Sequence, residues 1–466
     1  MLNTPIVHPL DSSRTLEVVP DIVHVFKSIV YGWIYNKTIT SSKKIVQEHG
    51  LVSPVVNISH LTELVRFEQA CDLKMACGLT ADDVNFEKPQ SNFEKLKVKN
   101  ASKFANHTVV SSLRFLSVEC SRKDILTTAF FLESVSLWFS YMTARSPGLA
   151  FSHSNAQAYD KAIGVLTNFR VMISECKVGD KQYWKPWQSS AILTTDCMLR
   201  LHKYFLNVKK YRFFFGGRLT QDCLENVFSQ LRQRQIRPSA LQAKDSLKLL
   251  TLAQYMEDVR NTSYEWDPKQ WLVGFSDQLK SISMMKKVDP ELCQSTTATA
   301  TVTEVEDTED DALVLVCETL CNQSSEQNVV YYLAGMIVRQ ISNRLNSCRA
   351  CMSSCVADDD FEAEYTFFTE LKDLSGKALT RVNPETFNLF IELEEIFKHR
   401  IETLMILNEN LECRLFSLMC GVPAPHIPSG HGMKEKLIKR FIAFRLKINR
   451  SKLMRDKRCD SKSMFI

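Results

Sequence analysis

Apolar residues recur every three or four positions over most of this chain, the spacing that lines one face of a helix. The pattern predicts helices over 22–35, within 93–115, over 123–142, over 189–207 and over 221–235. One stretch departs from it. Residues 15–19, TLEVV, are rich in β-branched side chains and predict a short strand. The strand meets Pro20 and Asp21 and turns directly into the helix at 22. Asp21 therefore has two readings: a helix N-cap, or a functional carboxylate at a strand–helix junction. On the 221–235 helix, Asp222 and Glu225 are three apart and share a face, while Leu224, Phe228 and Leu231 form an apolar side.

Breaks in the pattern divide the chain. Residues 295–311, STTATATVTEVEDTEDD, have small polar residues and then acids, with nothing to bury, and read as a solvated linker. An apolar helical region follows over 312–345, and a second acidic stretch, 358–364, separates it from the last helices. The chain ends in a basic segment, 434–458, with Leu437, Ile438, Phe441 and Phe444 on one side.

Composition narrows the classes. The chain has 466 residues, 45% hydrophobic and 24% charged, as in ordinary globular proteins. Glycine is scarce, at 14 residues, which favours helix. A net charge of +5 says little about partners. The N-terminal residues carry no secretory signal, and no uninterrupted apolar run of membrane-spanning length is seen, so no membrane partner is expected. The 15 cysteines then read as reduced, mostly buried thiols.

Several constellations carry candidate chemistry. Cys348, Cys351 and Cys355, with His426 and His431 downstream, contain a Cys-x-x-Cys pair at zinc-ligand spacing. In the basic tail, Lys439, Arg440, Arg445, Lys447 and Arg450 are candidates for a phosphate backbone, followed by Arg455, Lys457 and Arg458. A nuclear localisation signal and a plain solvated helix are the competing readings. Lys95, Lys97, Lys99 and Lys103 form a second basic run, read as a solvated helix face, with contact to phosphate as the alternative. There is no GxxxxGK[ST] phosphate loop and no GxSxG nucleophile elbow.

Four stretches, taken in order, add a resemblance. They are VVPDIVHVFKSIV at 18–30, NFEKLKVKNASKFANHTVVSSLRF at 92–115, RLTQDCLENVFSQLRQR at 218–234 and YYLAGMIVRQI at 331–341 with Cys348 and Cys351 after it. Together they resemble the P-element and THAP-containing DNA transposases. The third is the most specific. In the first, Asp21, His24 and Lys27 match, while Val23 stands where the family has proline.

The resemblance implies an RNase H-like fold interrupted by a helical insertion domain that binds guanine nucleotide in the family. It also implies three acids, two Asp and one Glu, holding two Mg²⁺ ions for in-line attack on a DNA phosphate. By position, Asp21 matches the second Asp and Glu225 the Glu, with Asp222 as an accessory acid. The first Asp, the THAP zinc finger and the dimerising coiled coil have no counterpart here, because the chain starts about twenty residues before Asp21.

The expected fold is mostly α with a small α/β part. An RNase H-like fragment over 1–38 comes first, then a helical insertion over 39–188 and return helices over 189–260. A linker over 261–311 and a helical C-terminal region over 312–466 follow. The expected function is a transposase-derived nuclear DNA-binding protein without independent catalysis. Two alternatives remain: a DDE-type transposase subunit completed by a further N-terminal part, and a transposon fragment without function. Expected cofactors are Mg²⁺, with GTP and Zn²⁺ as further candidates. The expected partners are DNA and a second copy of the chain.

Overall fold

The computed structural model describes residues 6–69, 71, 73–87, 95, 97–234, 237–256, 323–345, 348–357, 365–373, 379–406, 410–428 and 430–463, the side chains at 223, 233–234, 252–256, 323–324, 343–345, 349, 406 and 451–463 excepted. The whole linker expected over 261–311 and the acidic stretch at 358–364 lie outside these residues. So do the side chains of Arg455, Lys457 and Arg458.

The chain is mostly helical. A hairpin of β1 (Ile6–His8) and β2 (Asp11–Leu16) leads into α1 (Ile22–Asn36). Pairing stops at Leu16, short of the 15–19 strand that the β-branched run predicts. The cause is a helix much later in the chain: the carbonyls of Val18 and Pro20 are taken by the Cys197 thiol at 3.0 Å and the Thr194 hydroxyl at 3.1 Å. Glu17 is clamped by Arg200 at 2.8 and 2.6 Å, which holds its carboxyl below the usual range. The segment before Asp21 is thus bound to a helix, with no third strand.

A small antiparallel sheet follows, β3 (Thr38–Thr40), α2 (Lys43–Glu48) and β4 (Val55–Asn57), completed far along the chain by β5 (Lys177–Val178) in the order β4–β3–β5. Between them run α3 (Ser59–Gln69), α4 (Val98–Ser102), α5 (His107–Glu119), α6 (Ile125–Met142) and α7 (Ala156–Glu175). The helical insertion expected over 39–188 therefore encloses a short sheet. By length and composition α6 is apolar enough to cross a membrane. Here it is a core helix, with Phe131, Leu132, Val135, Trp138 and Met142 buried against α5 and α7. Trp138 stacks on Phe169 at 4.7 Å and donates to Thr195 Oγ1 at 2.9 Å.

The chain returns through α8 (Pro186–Lys203), which packs along α1. Pro186 at the first helical position and Gln188, accepting from Lys185 N at 2.9 Å, fix its start. Then come α9 (Asp222–Arg234) and α10 (Ala240–Met256). The apolar side expected on α9 is mostly uncovered: Leu231 is buried, but Leu224 is 52% and Phe228 46% exposed.

The C-terminal helices are α11 (Gln323–Leu345), α12 (Arg349–Ser353), α13 (Phe367–Lys372), α14 (Pro384–Ile406), α15 (Leu411–Cys420) and α16 (Met433–Ser463). They surround a second core that also takes in Leu73, Met75, Cys77 and Phe115 from the first half. Helix α13 is stitched to α5. His107 Nε2 meets Lys372 O at 2.9 Å, Ser111 Oγ donates to Leu371 O at 2.9 Å, and Lys372 Nζ donates to Thr108 Oγ1 at 3.0 Å. Gly335 on α11 is required by close approach, since a Cβ there would fall 2.2 Å from Thr380 O. Cys176, Cys197, Cys351 and Cys355 are buried free thiols as expected and Cys77 is buried, whereas Cys71 departs from that reading and is disulfide-bonded.

Candidate functional site

Asp21 caps two helices at once. Its Oδ2 accepts from His24 N in the first turn of α1 at 2.9 Å. Its Oδ1 accepts from Gln221 N, just before α9, at 3.0 Å. The N-cap reading of Asp21 is therefore realised, and with it a junction between segments 200 positions apart. Helix α9 answers from its own first turn: Glu225 Oε1 lies 3.6 Å from His24 Nε2, with both side chains more than half exposed. The two acids and His24 thus gather at one solvent-facing edge, where the N-termini of α1 and α9 meet. Both helix ends present orphan N–H groups that favour carboxylates.

Asp222 sits beside them with a different partner. Its carboxylate is paired with Arg145 and accepts from Thr220 Oγ1 at 3.2 Å. The turn that delivers it needs two glycines. A Cβ on Gly216 would fall 2.4 Å from Met142 O, and one on Gly217 2.7 Å from Thr143 O. The end of α6 therefore positions the start of α9. Arg145 was not foreseen, because nothing local in RSPG marks it as the partner of an acid 77 residues on.

The edge offers hard oxygen donors from Asp21 and Glu225, which suits a divalent cation such as Mg²⁺. It does not suit two. Both Asp21 oxygens already accept backbone N–H bonds, and Asp222 is neutralised by Arg145. Among the described residues, the acids form no group of three potential ligands within 4.8 Å of one another.

Such a group exists elsewhere. Cys348, Cys351 and His431 bring their ligand atoms within 4.8 Å of each other, with Cys351 Sγ 3.2 Å from His431 Nδ1. Cys348 receives the backbone N–H groups of Cys351 and Ala350, which bring its thiol down to about 7. The other residues of the set read from the sequence are engaged elsewhere. His426 Nε2 meets Thr386 Oγ1 at 3.1 Å, and the buried Cys355 thiol is raised by desolvation.

The basic tail divides in two. Leu437, Ile438, Phe441, Ile442 and Ile448 are buried, so α16 is a core helix for its first half. Arg445 falls on that inner face. It is 5% exposed, bonds Glu394 at 2.8 Å and lies over the Phe397 ring at 4.6 Å. It is a buried ion-pair partner and is turned away from any phosphate. Lys439, Lys447 and Arg450 point outward, and Arg440 is half-buried. Of the other basic run, Lys103 is taken by Asp83 at 2.8 Å.

The "Transposable element P transposase" of Drosophila melanogaster is 22% identical to this chain over 278 residues, which is 57% of the chain. Over that stretch the chain is similar to a P-element transposase. It spans 34% of the length of that relative. No family model matches. The solved "Drosophila P element transposase strand transfer complex" aligns with 55% of each chain, at 20% identity and a TM-score of 0.45.

Proposed function

We propose that this P-element relative is a transposase-derived, nuclear DNA-binding protein that does not cut DNA by itself. In this reading α1, α8 and α9 belong to an RNase H-like part, and residues 39–188 are the domain inserted into it. The observation that supports it most is the junction at Asp21. Two sequence signatures that the resemblance pairs in one acidic site, around Asp21 and around Glu225, meet at one edge. The same edge argues against independent catalysis. Two-ion phosphoryl transfer needs carboxylates that clamp both metals, and here Asp222 is tied to Arg145. No catalytic step is assigned.

DNA contact falls to the outward cations of α16, Lys439, Lys447 and Arg450. Backbone contacts of this kind release counterions, so binding weakens with salt. The test uses the full chain, duplex DNA and fluorescence anisotropy over a salt series. Binding should weaken steeply with salt. Replacing the three residues by Ala should flatten the log–log slope by up to about 2.7, at about 0.9 for each phosphate no longer neutralised. An unchanged slope removes these residues from the interface, and no binding at low salt sinks the DNA reading. Incubation with supercoiled plasmid and Mg²⁺ should give no nicking. Nicking that Glu225→Gln abolishes would restore the catalytic alternative. A fluorescent fusion confined to the cytoplasm would overturn the nuclear assignment.

A further inference from the structure

The donors at Cys348, Cys351 and His431 come from two places. Cys348 is the N-cap of α12 and Cys351 lies within its first turn. His431 is 80 residues beyond Cys351, in the loop between α15 and α16. That loop is shaped to return the imidazole. Gly430, at φ 87°, and Gly432, at φ 63°, flank His431 in the left-handed region that other residues rarely adopt. Two such turns on either side of one histidine hold it against Cys351.

We propose that Cys348, Cys351 and His431 bind one Zn²⁺ ion. A tetrahedral ion with Zn–S near 2.3 Å and Zn–N near 2.0 Å holds its donor atoms roughly 3.5–3.8 Å apart. The three atoms here already lie within 4.8 Å of one another, with Cys351 Sγ 3.2 Å from His431 Nδ1. Only small side-chain rotations separate the two arrangements. Two thiolates and an imidazole are soft to borderline donors, which select zinc over magnesium or calcium. Binding releases both thiol protons to solvent, and His431 coordinates as neutral imidazole through Nδ1. Cys348 and His431 are exposed and Cys351 is buried, so the fourth position faces water. The ion ties α12 to the loop that starts α16.

The test measures zinc in the full chain purified under reducing conditions and dialysed against metal-free buffer. About one ion per chain is expected. Cys348→Ser and His431→Asn change exposed residues and should fold, yet each should lose the zinc. Cys351→Ser should lose it as well, whereas Cys355→Ser and His426→Asn should retain it. Co²⁺ in place of zinc should give intense tetrahedral ligand-field bands with thiolate charge transfer, absent from Cys348→Ser. Chelator should lower the melting temperature of the wild type and leave that of His431→Asn unchanged. Zinc-free wild type that takes up no Co²⁺, or zinc retained by both exposed variants, would overturn the proposal.

Discussion

Glu225 Oε1 lies 3.6 Å from His24 Nε2, and this pair closes the same edge that Asp21 builds from the other side. Because both side chains are largely exposed, the pair contributes little by itself. The junction depends instead on the caps that Asp21 supplies to α1 and to the residue before α9. Asp21→Ala should destabilise the protein by about 1–2 kcal/mol, the cost of removing an N-cap. Asp21→Asn, which keeps an acceptor, should cost less. Urea denaturation of the two variants checks this, and equal losses would contradict it.

Arg445 should behave unlike its neighbours on α16. Arg445→Met leaves Glu394 buried with its charge uncompensated, a loss of about 3–5 kcal/mol. Adding Glu394→Leu should recover most of that loss. Lys439→Ala should leave stability nearly unchanged, since its only described contact is a cation–π interaction with Phe416 at 5.2 Å. Thermal melts of the three variants make the comparison.

Glu68 gives a pH signature. Burial raises its carboxyl to about 7, against the backbone N–H of Ala76, which donates at 2.8 Å. A raised carboxyl binds its proton more tightly when folded. Its contribution is therefore full below about 4.5 and is lost as pH rises through about 7. Across that window the loss is of the order of 3 kcal/mol. Glu68→Gln should remove this downward slope, read from denaturant midpoints at several pH values. The same slope in wild type and variant would show that Glu68 is not its source.

Gly335→Ala tests the approach of α11 to the chain at Thr380. The added methyl would meet a backbone carbonyl at 2.2 Å, which cannot yield as a flexible side chain would. A loss of about 1–3 kcal/mol, as for overpacking, is expected in denaturant melts.

Much of this was legible in the sequence, and the failures have physical causes. The helices α1, α8 and α9 follow from their periodicity, and the cap at Asp21 from its place before an apolar run. That Asp21 also caps the turn before α9 was not legible, because the bond spans 200 positions. Arg445 could have been placed. It lies four after Phe441 and seven after Ile438, on the buried stripe, and charge counting along the tail hid that spacing. The proposed zinc-ligand set was legible as residue types alone. Spacing could not choose His431 over His426, since the choice is made by two positive-φ glycines and by Thr386. Leu224 and Phe228 mislead in the opposite sense: the pattern marks an apolar side, and whether a neighbour covers it is a tertiary fact.

The stitching of α13 to α5 makes the molecule a clasp. Leu371 and Lys372 close onto Thr108 and Ser111, and the second core borrows Phe115. Severing the backbone between 257 and 322 would leave these bonds whole. Two pieces made by such a cut should elute together and melt in one transition, although no covalent bond in that stretch would join them. A protease site engineered there provides the measurement, and pieces that separate on a sizing column would show that the clasp does not hold by itself.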